Sequence, residues 1–358
     1  MTQIPSGSPR PTGRPARTWS LGETPWQQIP PVGGPRARVI IDNDFAGDPD
    51  DLYQLVHHLL SPSVDIRLVV ASHLRGDDPF DSSGRSAQNA EAVARDVFSR
   101  MGLTSTDIIV AGSDDPLPDR SSPQPAPAVD AIIAEALRDD VSSPLFYVAG
   151  GGLTDIASAY LTDPRIAERL TLVWIGGGEH DGLAVPPPNP MPVEYNLLID
   201  PVAGQVVFND STIPLWQVPR DVYRQCLVSD AELRVRVAGA GPLGRYLYDE
   251  VAYVCAMVAS HLGGASETYA LGDSPLVLLT ALQSVFEPDP SSSRYVRRPT
   301  PALGEDGAYS DVAGARPMRV YTWVDTRLMF EDMYLKLAEF ERWQAAPHAA
   351  PGEPEVLS

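Results

Sequence analysis

Arg38-Val39-Ile40-Ile41-Asp42-Asn43-Asp44-Phe45-Ala46-Gly47-Asp48-Pro49-Asp50-Asp51 sets a short apolar run directly before five carboxylates in ten residues. The run reads as a strand, and Asp51 to Leu60, apolar at Leu52, Leu55, Val56, Leu59 and Leu60, reads as one face of a helix. The same order then repeats. Ile66 to Val70 precedes a helical pattern from Ser86 to Met101, and Ile108 to Val110 precedes one from Ala128 to Leu137. Leu145 to Val148 precedes Leu153 to Leu161, and Leu172 to Ile175 ends in Gly176-Gly177-Gly178. Alternation of this kind predicts an α/β fold, an open and mainly parallel sheet flanked by helices, in which ligands bind beyond the carboxyl ends of the strands. Ser229 to Leu282 reads as a mainly helical C-terminal portion, followed by a late strand, Met318 to Val324, and a last helix, Leu328 to Trp343.

Residues 1–36 hold eight of the 36 prolines and four arginines, the composition of a disordered or extended leader. Residues 344–358 read as a flexible tail, which leaves 37–343 as a single domain. The chain of 358 residues carries 47 Asp+Glu against 27 Lys+Arg, a net charge of -20, and its only lysine is Lys336. A P-loop and a pyridoxal Schiff base each require a lysine in a setting that Lys336 lacks. An acidic surface repels phosphates, which argues against nucleic acid and anionic membrane as partners. Cys226 and Cys255 fit buried thiols of a reducing compartment, and neither a signal peptide nor a membrane span is legible, so a cytoplasmic location is expected.

Five clustered carboxylates repel one another unless a cation or a shared proton compensates. Oxygen-only ligands favour Ca²⁺ or Mg²⁺, and a roomy loop suits the larger Ca²⁺ shell, although the spacing is not that of an EF-hand. The plainer reading is an acidic helix N-terminus that complements the macrodipole. Haloacid-dehalogenase-type phosphotransferases also place Asp-x-Asp after a first strand, but they need a lysine ahead of a later acidic motif, and Lys336 lies beyond every candidate.

The loop resembles the N-terminal signature of the inosine-uridine-type nucleoside hydrolases, in the longer form of a divergent branch with Gly47-Asp48-Pro49-Asp50-Asp51. Further stretches resemble that family in order: Gly150-Gly151-Gly152-Leu153-Thr154-Asp155-Ile156-Ala157, Asp163-Pro164-Arg165-Ile166, Ile175-Gly176-Gly177-Gly178, Val193-Glu194-Tyr195-Asn196, Asp200-Pro201-Val202-Ala203 and Gly272-Asp273-Ser274-Pro275-Leu276. The resemblance runs from about Arg38 to Phe340 and implies a Rossmann-like nucleoside hydrolase fold.

It also implies an activity: hydrolysis of the N-glycosidic bond of a ribonucleoside or modified nucleoside, dependent on one Ca²⁺ per subunit and on no organic cofactor, in a homodimer or homotetramer. Asp44, Asp51 and Asp273 with the carbonyl of Gly150 would bind the metal, which would also hold the attacking water, and Asp44 would be the general base. Asp50, Glu194 and Asn196 would contact the ribose, with Asp77 and Asn189 as looser additions, while Asp42 would brace the loop. The residue before the late metal Asp is commonly a histidine that protonates the leaving base, and here it is Gly272. His73 and His180, each just past a strand, are the candidate substitutes. Stacking by Phe45, Trp216, Tyr223 or Tyr269, or a base that leaves easily, would serve instead. A hydrolase of another glycoside and a non-catalytic ribose-binding protein are the alternative readings on the same scaffold.

Overall fold

The computed structural model describes residues 17–27, 33–287, 289 and 291–347. Strand β1 (Ala37–Asn43) leads into helix α1 (Asp50–Leu59), β2 (Val64–Ala71) into α2 (Ser86–Met101), and β3 (Ile109–Ala111) into α3 (Pro127–Ala136). After them come β4 (Leu145–Ala149), α4 (Thr154–Thr162), β5 (Leu170–Ile175), the short helices α5 (Tyr195–Ile199) and α6 (Pro201–Gln205), and β6 (Leu215–Val218). A mainly helical stretch then holds α7 (Arg220–Tyr223), β7 (Leu227–Ser229), α8 (Asp230–Glu232), α9 (Pro242–Leu262), β8 (Thr268–Ala270) and α10 (Pro275–Thr280). Strands β9 (Arg294–Pro299), β10 (Ala302–Leu303), β11 (Tyr309–Ser310) and β12 (Pro317–Trp323) precede the last helix, α11 (Thr326–Ala345).

Eight strands form the central sheet in the order β3-β2-β1-β4-β5-β6-β12-β9, parallel except for β9, which runs antiparallel to β12 at the edge. The mainly parallel sheet is thus as the sequence predicts. Strands β6 and β9 are additional to the expected ones, because four residues of mixed polarity and an arginine-rich edge carry little periodic signal.

Strand β1 is buried along its whole length, and its alternating side chains feed two cores. Val39 and Ile41 join the core beneath α1, α2, α10 and α11, whereas Ile40 joins the one beneath α3 and α4. The order of strands reverses between β1 and β4, the switch point at which a doubly wound sheet opens a crevice. The end of β1 is tied on both sides there: Gly150 N donates to Asp42 O at 3.0 Å and Ser72 N donates to Asn43 O at 3.0 Å.

The leader expectation needs correction for residues 17–27; the rest of 1–32 and the tail beyond residue 347 lie outside the described residues. Trp19 is buried, donates from Nε1 to Met101 O at 2.7 Å and meets Trp26 edge to face with centroids 4.8 Å apart. Trp26 in turn packs on Phe340 and Trp343 of α11. Two indoles bury more apolar surface than the surrounding prolines and glycines can oppose through chain entropy. Among the described residues, no helix is long and apolar enough to cross a membrane.

Truncation of this anchor, Trp19→Ala, is expected to destabilise the fold by about 3 to 5 kcal/mol, as for other buried aromatic truncations. Urea unfolding of the two proteins measures it, and a loss below about 1 kcal/mol would mean that the segment merely drapes over the body.

Candidate active site

The period of two that divides the core also divides the first acids. Asp42 follows Ile40 to the α3 and α4 side, where the Tyr147 hydroxyl donates to its Oδ2. Asn43 follows Ile41 to the other side, and its Nδ2 donates to Asp51 Oδ1 at 2.5 Å and to Asp273 Oδ2 at 2.7 Å. Beyond the strand the chain turns back through a Gly47 N to Asp44 O bond of 2.7 Å, and a Cβ on Gly47 would lie 2.8 Å from Leu74. Asp50 and Asp51 then fill the first turn of α1. Asp273 reaches the same point from the turn before α10, with its amide donating to Asp50 Oδ2 at 3.2 Å.

One carboxylate oxygen from each of Asp50, Asp51 and Asp273 lies within 4.8 Å of the others. At that separation and an effective dielectric constant near 20, each pair of charges costs about 3 to 4 kcal/mol. Hydrogen bonds from the single Asn43 amide, worth about 1.5 to 3 kcal/mol each to a charged acceptor, leave much of that unbalanced. Burial and then the neighbouring carboxylates accordingly push Asp44, Asp50, Asp51 and Asp273 well above the usual carboxylate range. Asp51 Oδ2 and Asn43 Oδ1 are buried with no hydrogen-bond partner. Gly150 closes the far wall, where a Cβ would collide with the Asp273 carboxylate. An all-oxygen donor set with orphaned acceptors suits a hard divalent cation.

These acids line a cavity of about 170 Å³ together with Gly150, Ile175, Glu194, Tyr195, Asn196 and Tyr223. Glu194 caps α5: Oε2 accepts from Gly177 N at 2.7 Å and Leu197 N at 3.1 Å, and Oε1 accepts from the Tyr223 hydroxyl at 2.8 Å. The glycine run after β5 serves that bond. Gly177 sits at φ +80°, where a side chain would be strained and would strike Tyr309, and this conformation aims its N–H at Glu194. Asn196 donates its Nδ2 to Gly150 O at 2.6 Å and to Ile175 O at 2.9 Å, which leaves Oδ1 to accept from a ligand.

Asp44, Asp50, Asp51, Gly150, Glu194, Asn196 and Asp273 therefore meet around one cavity. Four other expected residues stand elsewhere. Asp77 projects into solvent beside Arg75, with 86% of its side chain exposed, and Asn189 lies exposed in the loop after β5. His73 is buried with both ring nitrogens occupied, by Leu74 O at 2.9 Å and Thr154 Oγ1 at 2.8 Å. His180 pairs with Gln217 Oε1 at 2.7 Å and stacks on Tyr309. Burial lowers the His180 pKa and favours its neutral ring. Of the proposed stacking residues, Tyr223 lines the cavity, Phe45 joins the core, and Trp216 lies under the Arg319 guanidinium.

Three further residues at or behind the cavity wall stand outside the set expected from the sequence. Asp48 lines the cavity and accepts from the Tyr269 hydroxyl. Tyr195 also lines it and donates to Asp78 Oδ2 at 2.5 Å, so that Asp78, with its side chain fully buried, takes the interior place beside the exposed Asp77. Only the density of acids around Asp77 could have hinted at Asp78. Burial and the adjoining carboxylates raise the phenol pKa values of Tyr195, Tyr223 and Tyr269, which keeps their protons in place.

A family model for inosine-uridine preferring nucleoside hydrolases matches residues 39–326. The chain is 36% identical over 116 residues to the inosine-uridine preferring nucleoside hydrolase of Leishmania major, covering 31% of this chain and 34% of that protein. It is 31% identical over 206 residues to the enzyme of the same description from Crithidia fasciculata, covering 54% and 59%. The matched stretches thus span about a third and three fifths of those relatives. Among solved structures, a plant nucleoside hydrolase superposes with a TM-score of 0.65 at 18% identity, over 85% of this chain and 99% of that one. A purine-preferring ribonucleoside hydrolase from Gardnerella vaginalis gives 0.64 at 20% identity, over 86% and 99%. At such identities the superpositions speak for the fold, and the family match, over most of the length and across the loops that build the cavity, speaks for descent. The chain belongs to the inosine-uridine preferring nucleoside hydrolase family.

Proposed function

We propose that this protein hydrolyses the N-glycosidic bond of a ribonucleoside or modified nucleoside, releasing ribose and the free base. The observation that carries the reading is the meeting of Asp44, Asp50, Asp51, Glu194, Asn196 and Asp273 around one cavity at the sheet's switch point, within a family of nucleoside hydrolases. Loss of the base leaves an oxocarbenium-like ribosyl centre, and a wall of carboxylates stabilises that positive charge where it develops.

Asp44, Asp51, Asp273 and the carbonyl of Gly150 are proposed to hold one Ca²⁺, and Asp50 stands close enough to share in it. When bound, the cation supplies positive charge that orients water and ribose hydroxyls and makes the water more acidic. Asp44 then accepts the proton of the attacking water as its oxygen bonds to C1′. Asp50 and the free Oδ1 of Asn196 accept from ribose hydroxyls, and Glu194, fixed by four hydrogen bonds, offers its carboxylate to the 5′ side of the sugar.

The test is release of free ribose from a panel of purine, pyrimidine and modified nucleosides. Asp44→Asn is expected to lower kcat by about 10³-fold or more, the scale of losing a positioned general base, while KM changes only a few fold. No ribose from any nucleoside at high enzyme concentration would end the hydrolase reading. Turnover by Asp44→Asn within tenfold of the parent would remove Asp44 from the chemistry.

A further inference from the structure

The cavity wall holds, among the described residues, no histidine, lysine or arginine, so its nitrogen donors are confined to backbone and amide N–H groups. Its hydroxyls are committed as well. Tyr223 donates to Glu194, Tyr195 donates to Asp78, and Tyr269, behind Asp48, donates to that carboxylate. None of these phenolic protons is free for the nitrogen of a departing base. At Gly272 there is no side chain at all, and the space a Cβ would enter lies 3.2 Å from Asp50 Oδ2 and 3.5 Å from the Tyr223 ring. A ligand group entering there would touch the Tyr223 side chain with the Asp50 carboxylate beside it.

The charge of the cavity points the same way. A divalent cation on Asp44, Asp51 and Asp273 would answer two of their three charges, and the carboxyl groups of Asp48, Asp50 and Glu194 stand in the same wall, which holds no basic side chain among the described residues. Asp48 has no part in the proposed metal set or in the proposed ribose contacts, yet it is held in the wall by Tyr269, 221 residues away in sequence. An uncompensated carboxylate in a partly enclosed cavity is stabilised by a positively charged ligand.

Resting on the hydrolase reading, we infer that the preferred substrates are N-ribosides whose aglycone already carries a positive charge, such as an N-ribosylpyridinium or an N-ribosyl purine alkylated on its imidazole ring. With such a substrate the missing acid is not needed. Water oxygen bonds to C1′, the C1′–N bond breaks with its electron pair passing to the ring nitrogen, and the cationic ring leaves neutral. The proton of the water goes to Asp44 and then to solvent. Asp48 is a specificity residue in this scheme, since it attracts the aglycone's charge, and neutral bases are disfavoured because they would depart as unprotonated anions.

The inference is tested on the full chain in the presence of Ca²⁺, with 1-ribosylnicotinamide as a permanent cation, inosine and uridine as neutral nucleosides, and 4-nitrophenyl riboside as a neutral compound whose leaving group needs no acid. We expect kcat/KM for the cation to exceed that for inosine and uridine by at least 100-fold, and Asp48→Asn to lower the ratio of cation to 4-nitrophenyl riboside by about tenfold. Calorimetry adds a readout apart from turnover: the non-hydrolysable carbocyclic analogue of 1-ribosylnicotinamide should bind about tenfold more tightly than carbocyclic uridine. Inosine or uridine within tenfold of the cation, or equal binding of the two analogues, would overturn the inference while turnover of 4-nitrophenyl riboside leaves the hydrolase reading standing. Failure of every substrate, 4-nitrophenyl riboside included, would remove both.

Discussion

Like-charge repulsion at the end of β1 is the constraint on which the rest of this structure depends. Asp44, Asp50, Asp51 and Asp273 come together where water is largely excluded, and an uncompensated set of that kind would rival the 5 to 15 kcal/mol that holds an ordinary domain folded. Only part of the balance is internal. The Asn43 amide bridges Asp51 and Asp273, and the Asp273 amide meets Asp50. The remainder calls for a cation, and the same deficit of positive charge suits the ribosyl cation of the proposed reaction.

The fold makes this clustering possible by anchoring each acid to a stiff element. Strand β1 is tied to β2 and β4 up to its last residues, α1 fixes Asp50 and Asp51 in its first turn, and α10 starts just beyond Asp273. Glycine appears where backbone has to come close: Gly150 against the Asp273 carboxylate, and Gly177 in a left-handed conformation that points its N–H at Glu194. A side chain at Gly150 would strike the Asp273 carboxylate, and one at Gly177 would strain the turn whose N–H holds Glu194, so the glycine runs after β4 and β5 belong to the site as much as the carboxylates do.

Much of the fold was legible because most buried strands are compact apolar runs and the longer helices, α1, α2, α3, α9 and α11, each run for ten residues or more. Strand β6 was not, being four residues long, and Trp19 and Trp26 were hidden by the prolines around them although they anchor residues 17–27 to α11. Within the site, Asp44 and Asp51 announce themselves through local density of charge, whereas Glu194 and Asp273 become legible only through the order of motifs along the chain. The pairs Tyr195 with Asp78 and Tyr269 with Asp48 lie 117 and 221 residues apart, and no local spacing could join them. His73 and His180 illustrate the converse, since a histidine just past a strand end has the right address for a proton donor but is here consumed by neighbours in the interior.

The central claim, that the buried acids are built around a hard divalent cation, is tested most directly by calorimetric titration of the chelator-stripped protein with Ca²⁺, beside the Asp273→Asn variant. The account predicts one Ca²⁺ per chain in the parent, a rise in its thermal midpoint on binding, and loss of both in the variant. Absence of binding by Ca²⁺ and Mg²⁺ alike, or undiminished binding in Asp273→Asn, would contradict it.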